Sequence, residues 1–188
     1  MKQKMDIWAM TLSAMFLALA YIFPFFTGQI PQIGNMLCPM HIPVLLCGFL
    51  CGGNWGMMVG FLAPLLRSAT LGAPVMFPVA LCMAVELAVY GLTAGGLYSK
   101  LPKKKLYIYV ALIMAMIMGR LVWGAVMFLC MGISGGTFGM SAFVAGAVTN
   151  AVPGIILQLI AVPVLVMCLA GKKQEPVNLS VEESFGKV

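Results

Sequence analysis

Charge is what this sequence has least of. Only 9% of the 188 residues are charged, against about 25% in an ordinary soluble domain. With 62% hydrophobic residues and a mean hydropathy of +1.05, too little polar surface remains to cover a water-facing globule. That excludes a soluble domain and makes lipid the natural solvent. Four of the five carboxylates are terminal (Asp6, Glu175, Glu182 and Glu183), so Glu86 is the one acidic residue within the apolar part. His41 is the only histidine. One embedded carboxylate and one histidine do not make a metal site, and they give an ion-coupled carrier little to work with. The six cysteines contain no CxxC pair; Cys47 and Cys51, one helical turn apart, read as small packing residues. There is no Walker A motif, HExxH or GxSxG, so the chain has no ATPase of its own and offers no catalytic constellation. No catalytic residue, cofactor or metal is expected.

The net charge of +6 comes from lysines gathered at segment ends: Lys2 and Lys4, then Lys100, Lys103, Lys104 and Lys105, then Lys172, Lys173 and Lys187. That spacing fits topology anchors rather than a nucleic-acid face. Near the start, Ala18-Leu19-Ala20 superficially looks like a signal-peptidase site. The apolar run continues through Phe26, which predicts an uncleaved anchor.

Four long apolar segments, residues 7–26, 75–98, 106–131 and 141–170, each meet the roughly 20-residue requirement for a bilayer crossing. Residues 42–66 are broken by Gly52-Gly53-Asn54, and charge parity settles their reading. With the N-terminus inside, one span at 42–66 would put the four-lysine loop outside, against the positive-inside rule. Two short helices of about 10–13 residues each place every lysine inside. The expected architecture is all-α: residues 1–172 form a single domain of six transmembrane helices, N-in and C-in, and 173–188 form a polar cytoplasmic tail. Short helices at membrane depth are tolerated where protein surrounds them or they line a cavity.

Embedded polar residues are costly and usually face the interior. Counted along their helices at 1.5 Å per residue, Glu86 and Arg120 lie about 18 and 21 Å from the cytoplasmic side, at matching depth. Either they pair with each other or they meet a ligand. Tyr90 is one turn from Glu86, and Trp123 is three residues from Arg120; each is either a stacking residue or an ordinary interface aromatic. His41 and Arg67 are expected at the outer ends of helices 2 and 3. There His41 either caps its helix or meets ligand, and Arg67 either snorkels or meets ligand. Asn150 lies on the outer half of the last helix, and Gln158 reads as an interhelical hydrogen-bonder. The polar set therefore predicts a site open to the outside. The apolar, Gly- and Pro-rich loops 27–40, which holds Asn35, and 132–140 are suited to act as lids. On helix 1, Ala14 and Ala18 form one small-xxx-small pattern and Ala9 and Ser13 another, the type of face that lets a second helix approach closely.

Taken together, six helices in fewer than 200 residues, the AxxxA of Ala14 and Ala18, and the runs Pro39–Gly52 (PMHIPVLLCGFLCG), Met83–Gly91 (MAVELAVYG) and Gly119–Gly124 (GRLVWG) resemble the S component of energy-coupling-factor (ECF) transporters. The resemblance covers about residues 5–172. It implies a substrate-binding subunit, not an enzyme, in the plasma membrane of a prokaryotic cell. Such a subunit captures a water-soluble vitamin outside and delivers it by toppling when docked on a transmembrane coupling subunit and two cytoplasmic ATPases. The resemblance assigns Ala14 and Ala18 to the coupling subunit. It places the ligand in the outer half, under the loop between helices 1 and 2 and among helices 4, 5 and 6. The candidate ligand contacts are Asn35, His41, Arg67, Glu86, Tyr90, Arg120, Trp123 and Asn150. The segment P-M-H-I-P-V is similar to pantothenate- and riboflavin-type S components, and two arginines near the pocket put pantothenate first. The competing expectation is a solitary secondary transporter or channel for a small organic solute.

Overall fold

Gly52 adopts φ 102° and ψ 162°, a conformation that L side chains rarely enter. The apolar stretch around it therefore folds as two helices rather than one. The structure, a computed structural model, describes residues 7–26, 39–102, 104–133, 139, 143, 145, 146 and 152–172. Its helices are α1 (Ile7–Phe26), α2 (His41–Cys51), α3 (Gly53–Leu71), α4 (Leu81–Lys100), α5 (Lys105–Ile133) and α6 (Val152–Lys172), with a short π-helical turn, Met76–Ala80, leading into α4. No strand occurs among the described residues. This is the expected solution where backbone polar groups must be satisfied within each segment.

The break at residues 52–53 agrees with the two-helix reading, but the lengths differ from it. α2 has 11 residues and α3 has 19, so α3 exceeds the expected 10–13. It continues through Pro64 and the polar residues Arg67, Ser68 and Thr70. Pro64 removes a single ladder bond. Thr70 returns its hydroxyl to the Leu66 carbonyl, and Arg67 donates to the Tyr21 carbonyl on α1. The helix stops at Gly72, which takes the left-handed conformation (φ 67°) and donates its N–H to the Ser68 carbonyl, a glycine C-cap. The last helix is described from Val152 rather than 141. Of the intervening residues, Phe143, Ala145 and Gly146 are helical.

In lipid no hydrophobic force draws helices together, so packing of small residues has to do it. Here backbone lies directly on backbone. A Cβ added to Gly91 would fall 2.3 Å from the Gly56 carbonyl oxygen, one on Gly60 would fall 2.3 Å from that of Leu87, and one on Gly95 would fall 2.4 Å from the Gly48 oxygen and the Gly53 nitrogen. These contacts set the directions: α2 runs parallel to α4, and α3 antiparallel to it. At the far end of α4, the Cys82 thiol lies 3.9 Å from both the Met127 and Cys130 sulfurs, so α5 is antiparallel to α4. Tyr21 meets Thr70, so α1 ends beside the end of α3. The Gly52 turn and the lysines at 100–105 thus share one end of the bundle. Phe26, Leu71 and Ile133 share the other.

α2 is the innermost element, buried from His41 through Phe49. Its Val44 and Leu45 join Leu87 and Tyr90 of α4, Leu112 of α5, and Val162 and Val166 of α6 in one core. The outer faces stay apolar, with Ile117, Leu121, Phe128 and Ile160 all at least half exposed. Four stretches, Ile7–Phe25, Met76–Lys100, Lys105–Ile133 and Val152–Leu169, are long and apolar enough to cross a membrane. This is a multi-pass membrane protein. The glycine seam predicts a position-specific effect of one methyl group. Gly91→Ala should destabilise the detergent-solubilised protein by about 1–3 kcal/mol through overpacking. Gly96→Ala, where an added Cβ meets nothing within 4 Å, should be neutral or stabilise by about 0.5–1 kcal/mol. Thermal unfolding of the two variants makes the comparison.

Candidate functional site

The shortness of α2 decides where the polar residues meet. Eleven residues rise about 16 Å from the Gly52 turn, so His41, its first residue, stands near mid-bundle rather than at the outer end expected for it. There its Nε2 lies 3.6 Å from Glu86 Oε1. The same carboxylate oxygen lies 3.1 Å from Arg120 Nη1. The His41 ring meets Tyr90 edge-on, with centroids 5.0 Å apart and planes at 89°. Glu86 and His41 are 1% and 2% exposed and Tyr90 is fully buried, whereas the Arg120 side chain keeps 15% of its surface. Four of the candidate ligand contacts therefore form one cluster, contributed by α2, α4 and α5.

Local sequence explains the cluster. Glu86 and Tyr90 are one turn apart on α4 and share a face. Gly119, next to Arg120, leaves room for the Tyr90 ring, since a Cβ there would sit 2.3 Å from it. The Glu86 carboxylate is buried beside the Arg120 guanidinium and the first residue of α2. No side chain caps α2, and neither ring nitrogen of His41 has a hydrogen-bond partner among the described residues. The capping alternative for His41 therefore fails. Glu86 and Arg120 do pair, as one of the two readings of the sequence holds.

The other candidates lie elsewhere. Arg67 Nη1 donates to the Tyr21 carbonyl at 3.1 Å, and its guanidinium stacks 5.1 Å from the Phe25 ring centroid. It fastens α3 to α1 and makes no contact with the Glu86 cluster. Trp123 stacks on Phe143, 6.3 Å between centroids at 27°, and its ring occupies the space a side chain at Gly146 would need. Asn35 and Asn150 lie outside the described residues, as do most residues of both candidate lid loops. Gln158 is 1% exposed and its Oε1 has no partner among the described residues. A groove of about 320 Å³ lined by Met57, Met58, Phe61, Leu62 and Ala88 is wholly apolar and shares no residue with the cluster. No group of three His, Cys, Asp or Glu side chains able to hold a metal occurs among the described residues.

The two small-residue patterns on α1 separate cleanly. Ala9 and Ser13 are buried, with the Ser13 hydroxyl donating to the Ala9 carbonyl at 2.7 Å and the Cys47 thiol approaching it at 3.5 Å. Ala14 and Ala18 face outward. An inward small-residue face seats α1 on the bundle, and a second is left on the surface.

A family model described as the ECF transporter, substrate-specific component, matches residues 9–166. The chain belongs to this family. No curated protein and no solved structure matches it. An S component is a transporter subunit and not an enzyme, and its work is to hold a substrate. In this S component the buried polar cluster is a structural commitment as well. Arg120→Ala should lower stability in detergent by about 3–5 kcal/mol, because it strands the Glu86 carboxylate. The double variant Arg120→Met, Glu86→Gln should recover most of that loss in the same unfolding measurement. An equal loss in single and double variants would show that the pair does not hold the helices.

Proposed function

We propose that this S component captures a water-soluble vitamin or related micronutrient from outside a prokaryotic cell and delivers it inward when docked on an ATP-driven module. The module would comprise a transmembrane coupling subunit and two cytoplasmic ATPases. The observation that carries the reading is the family match over residues 9–166. The buried cluster of His41, Glu86, Tyr90 and Arg120 supports it, because polar groups this costly in an apolar bundle mark a site. In this reading residues 1–172 make six crossings with both termini inside, and the tail 173–188 is cytoplasmic. The lysine distribution supports that orientation, as does the position of the Gly52 turn at the lysine end. Tyr90, Arg120, His41 and Glu86 line the ligand site; Trp123 and Arg67 are candidates from the sequence that lie apart from this cluster. Asn35 and Asn150 are proposed from the sequence. Pantothenate, an anion, and riboflavin, which is uncharged, are the two vitamins the sequence brings forward.

The outward alanines Ala14 and Ala18 are the proposed docking face for the coupling subunit. Ala14→Trp should abolish co-purification of the coupling subunit and ATPases with the tagged protein and leave ligand binding within about twofold. Undiminished assembly would remove α1 as the docking face. Uptake by proteoliposomes holding this chain alone would instead favour the solitary transporter.

A further inference from the structure

We infer that the captured molecule carries no net charge and is held through hydrogen bonds, with the Gln158 amide oxygen as one of its acceptors. The inference rests on the S-component reading and names the substrate class of that site. It begins from the charge inventory. Between residues 7 and 171 the Asp, Glu, Lys, Arg and His side chains are His41, Arg67, Glu86, Arg120 and the lysines at 100–105. The lysines sit at the Gly52 end of the bundle, away from the cluster. Residues 27–38 and 134–151 contain no such side chain.

The remaining charges are already engaged. Glu86 and Arg120 lie 3.1 Å apart, with the carboxylate 1% exposed, and together they are neutral. An anionic ligand would have to share the Arg120 guanidinium with the Glu86 carboxylate, and a cationic ligand the carboxylate with the guanidinium; either leaves one charge in the cluster uncompensated. An uncompensated buried charge weakens binding by about a hundredfold or more. Arg67 is 5% exposed and turned to the Tyr21 carbonyl and Phe25 ring of α1, so it belongs to the α1–α3 contact.

Beside Glu86 Oε1 and Arg120 Nε, which also make no hydrogen bond among the described residues, uncharged hydrogen-bonding capacity is unspent. Gln158 Oε1 and His41 Nδ1 are buried and have no partner among the described residues, and buried polar atoms without partners are rare enough to require a reason. Gln158 lies one turn before Val162 and two before Val166, both fully buried, on the face by which α6 packs against α2. A neutral ring or amide bearing N–H or O–H groups would satisfy these atoms without disturbing the ion pair.

The test uses the full-length protein in detergent and isothermal titration calorimetry. The probes are riboflavin and nicotinamide (uncharged), pantothenate and biotin (anionic) and thiamine (cationic). Native mass spectrometry identifies any molecule that stays bound through purification. The expected result is that the tightest probe, and any retained molecule, is uncharged at pH 7, with charged probes at least a hundredfold weaker. Glu86→Gln should bind pantothenate at least tenfold more tightly than the native protein, because Arg120 is released. Gln158→Leu should lose tenfold or more in affinity for the uncharged ligand, with its melting temperature unchanged or higher, which a purely packing role would not produce. A charged ligand that binds best overturns the inference and leaves the S-component reading intact. Native affinity in Gln158→Leu removes the Gln158 contact, and no gain for pantothenate in a cooperatively melting Glu86→Gln removes the neutral-pair argument. If no ligand is found but the coupling subunit and ATPases still co-purify, the inference alone falls; if they also fail to co-purify, both fall.

Discussion

The rest of the bundle depends on the contact of glycine backbones between the α2–α3 hairpin and α4. Gly48, Gly53 and Gly56 can lie on Gly91 and Gly95 only because none carries a Cβ. In water such an arrangement would forgo the burial of larger side chains. In lipid that burial has little value, and close approach gives dispersion contacts that larger residues would prevent. The seam fixes the height of α2 against α4, and through it the height of His41 against Glu86.

From that registration follows the polar cluster. A carboxylate, a guanidinium, an imidazole and a phenol ring from three helices converge in a core that is otherwise apolar. Each would be expensive alone. Together, Glu86 and Arg120 cancel in charge, and Tyr90 packs its ring between His41 and the gap at Gly119. The cluster thus ties α2, α4 and α5 at one depth. Arg67 ties α1 to α3 by a separate route, through a carbonyl and a ring rather than a carboxylate.

Much of this was legible in the sequence because lipid makes so few solutions possible. Composition identifies the solvent. The Gly52-Gly53 break, with the lysine pattern, divides residues 42–66 into two helices, and counting residues puts Glu86 and Arg120 at one level. The depth of His41 was not legible. It depends on which neighbour the hairpin rests against, and nothing local in PMHIPV states that. Nor was the length of α3, since Arg67, Ser68 and Thr70 look like a helix end until Tyr21 and the helix backbone satisfy two of them. Two arginines in an apolar sequence suggest an anion site, because pairing partners are invisible at the level of composition. Gly119 makes room for Tyr90 from 29 residues away, and no periodicity signals such a pairing.

The division of α1 into two faces has a mechanical side. Through Ser13 it touches Cys47 on α2, and through Tyr21 and Phe25 it holds Arg67 on α3, so its inner face rests on both arms of the hairpin. Its outer face presents Ala14 and Ala18. A load applied to that outer face reaches the hairpin before α4, α5 or α6, and α2 is the arm that ends in His41. Because the glycine seam fixes that hairpin against α4, α1 and the arm that starts at His41 form one mechanical unit with it.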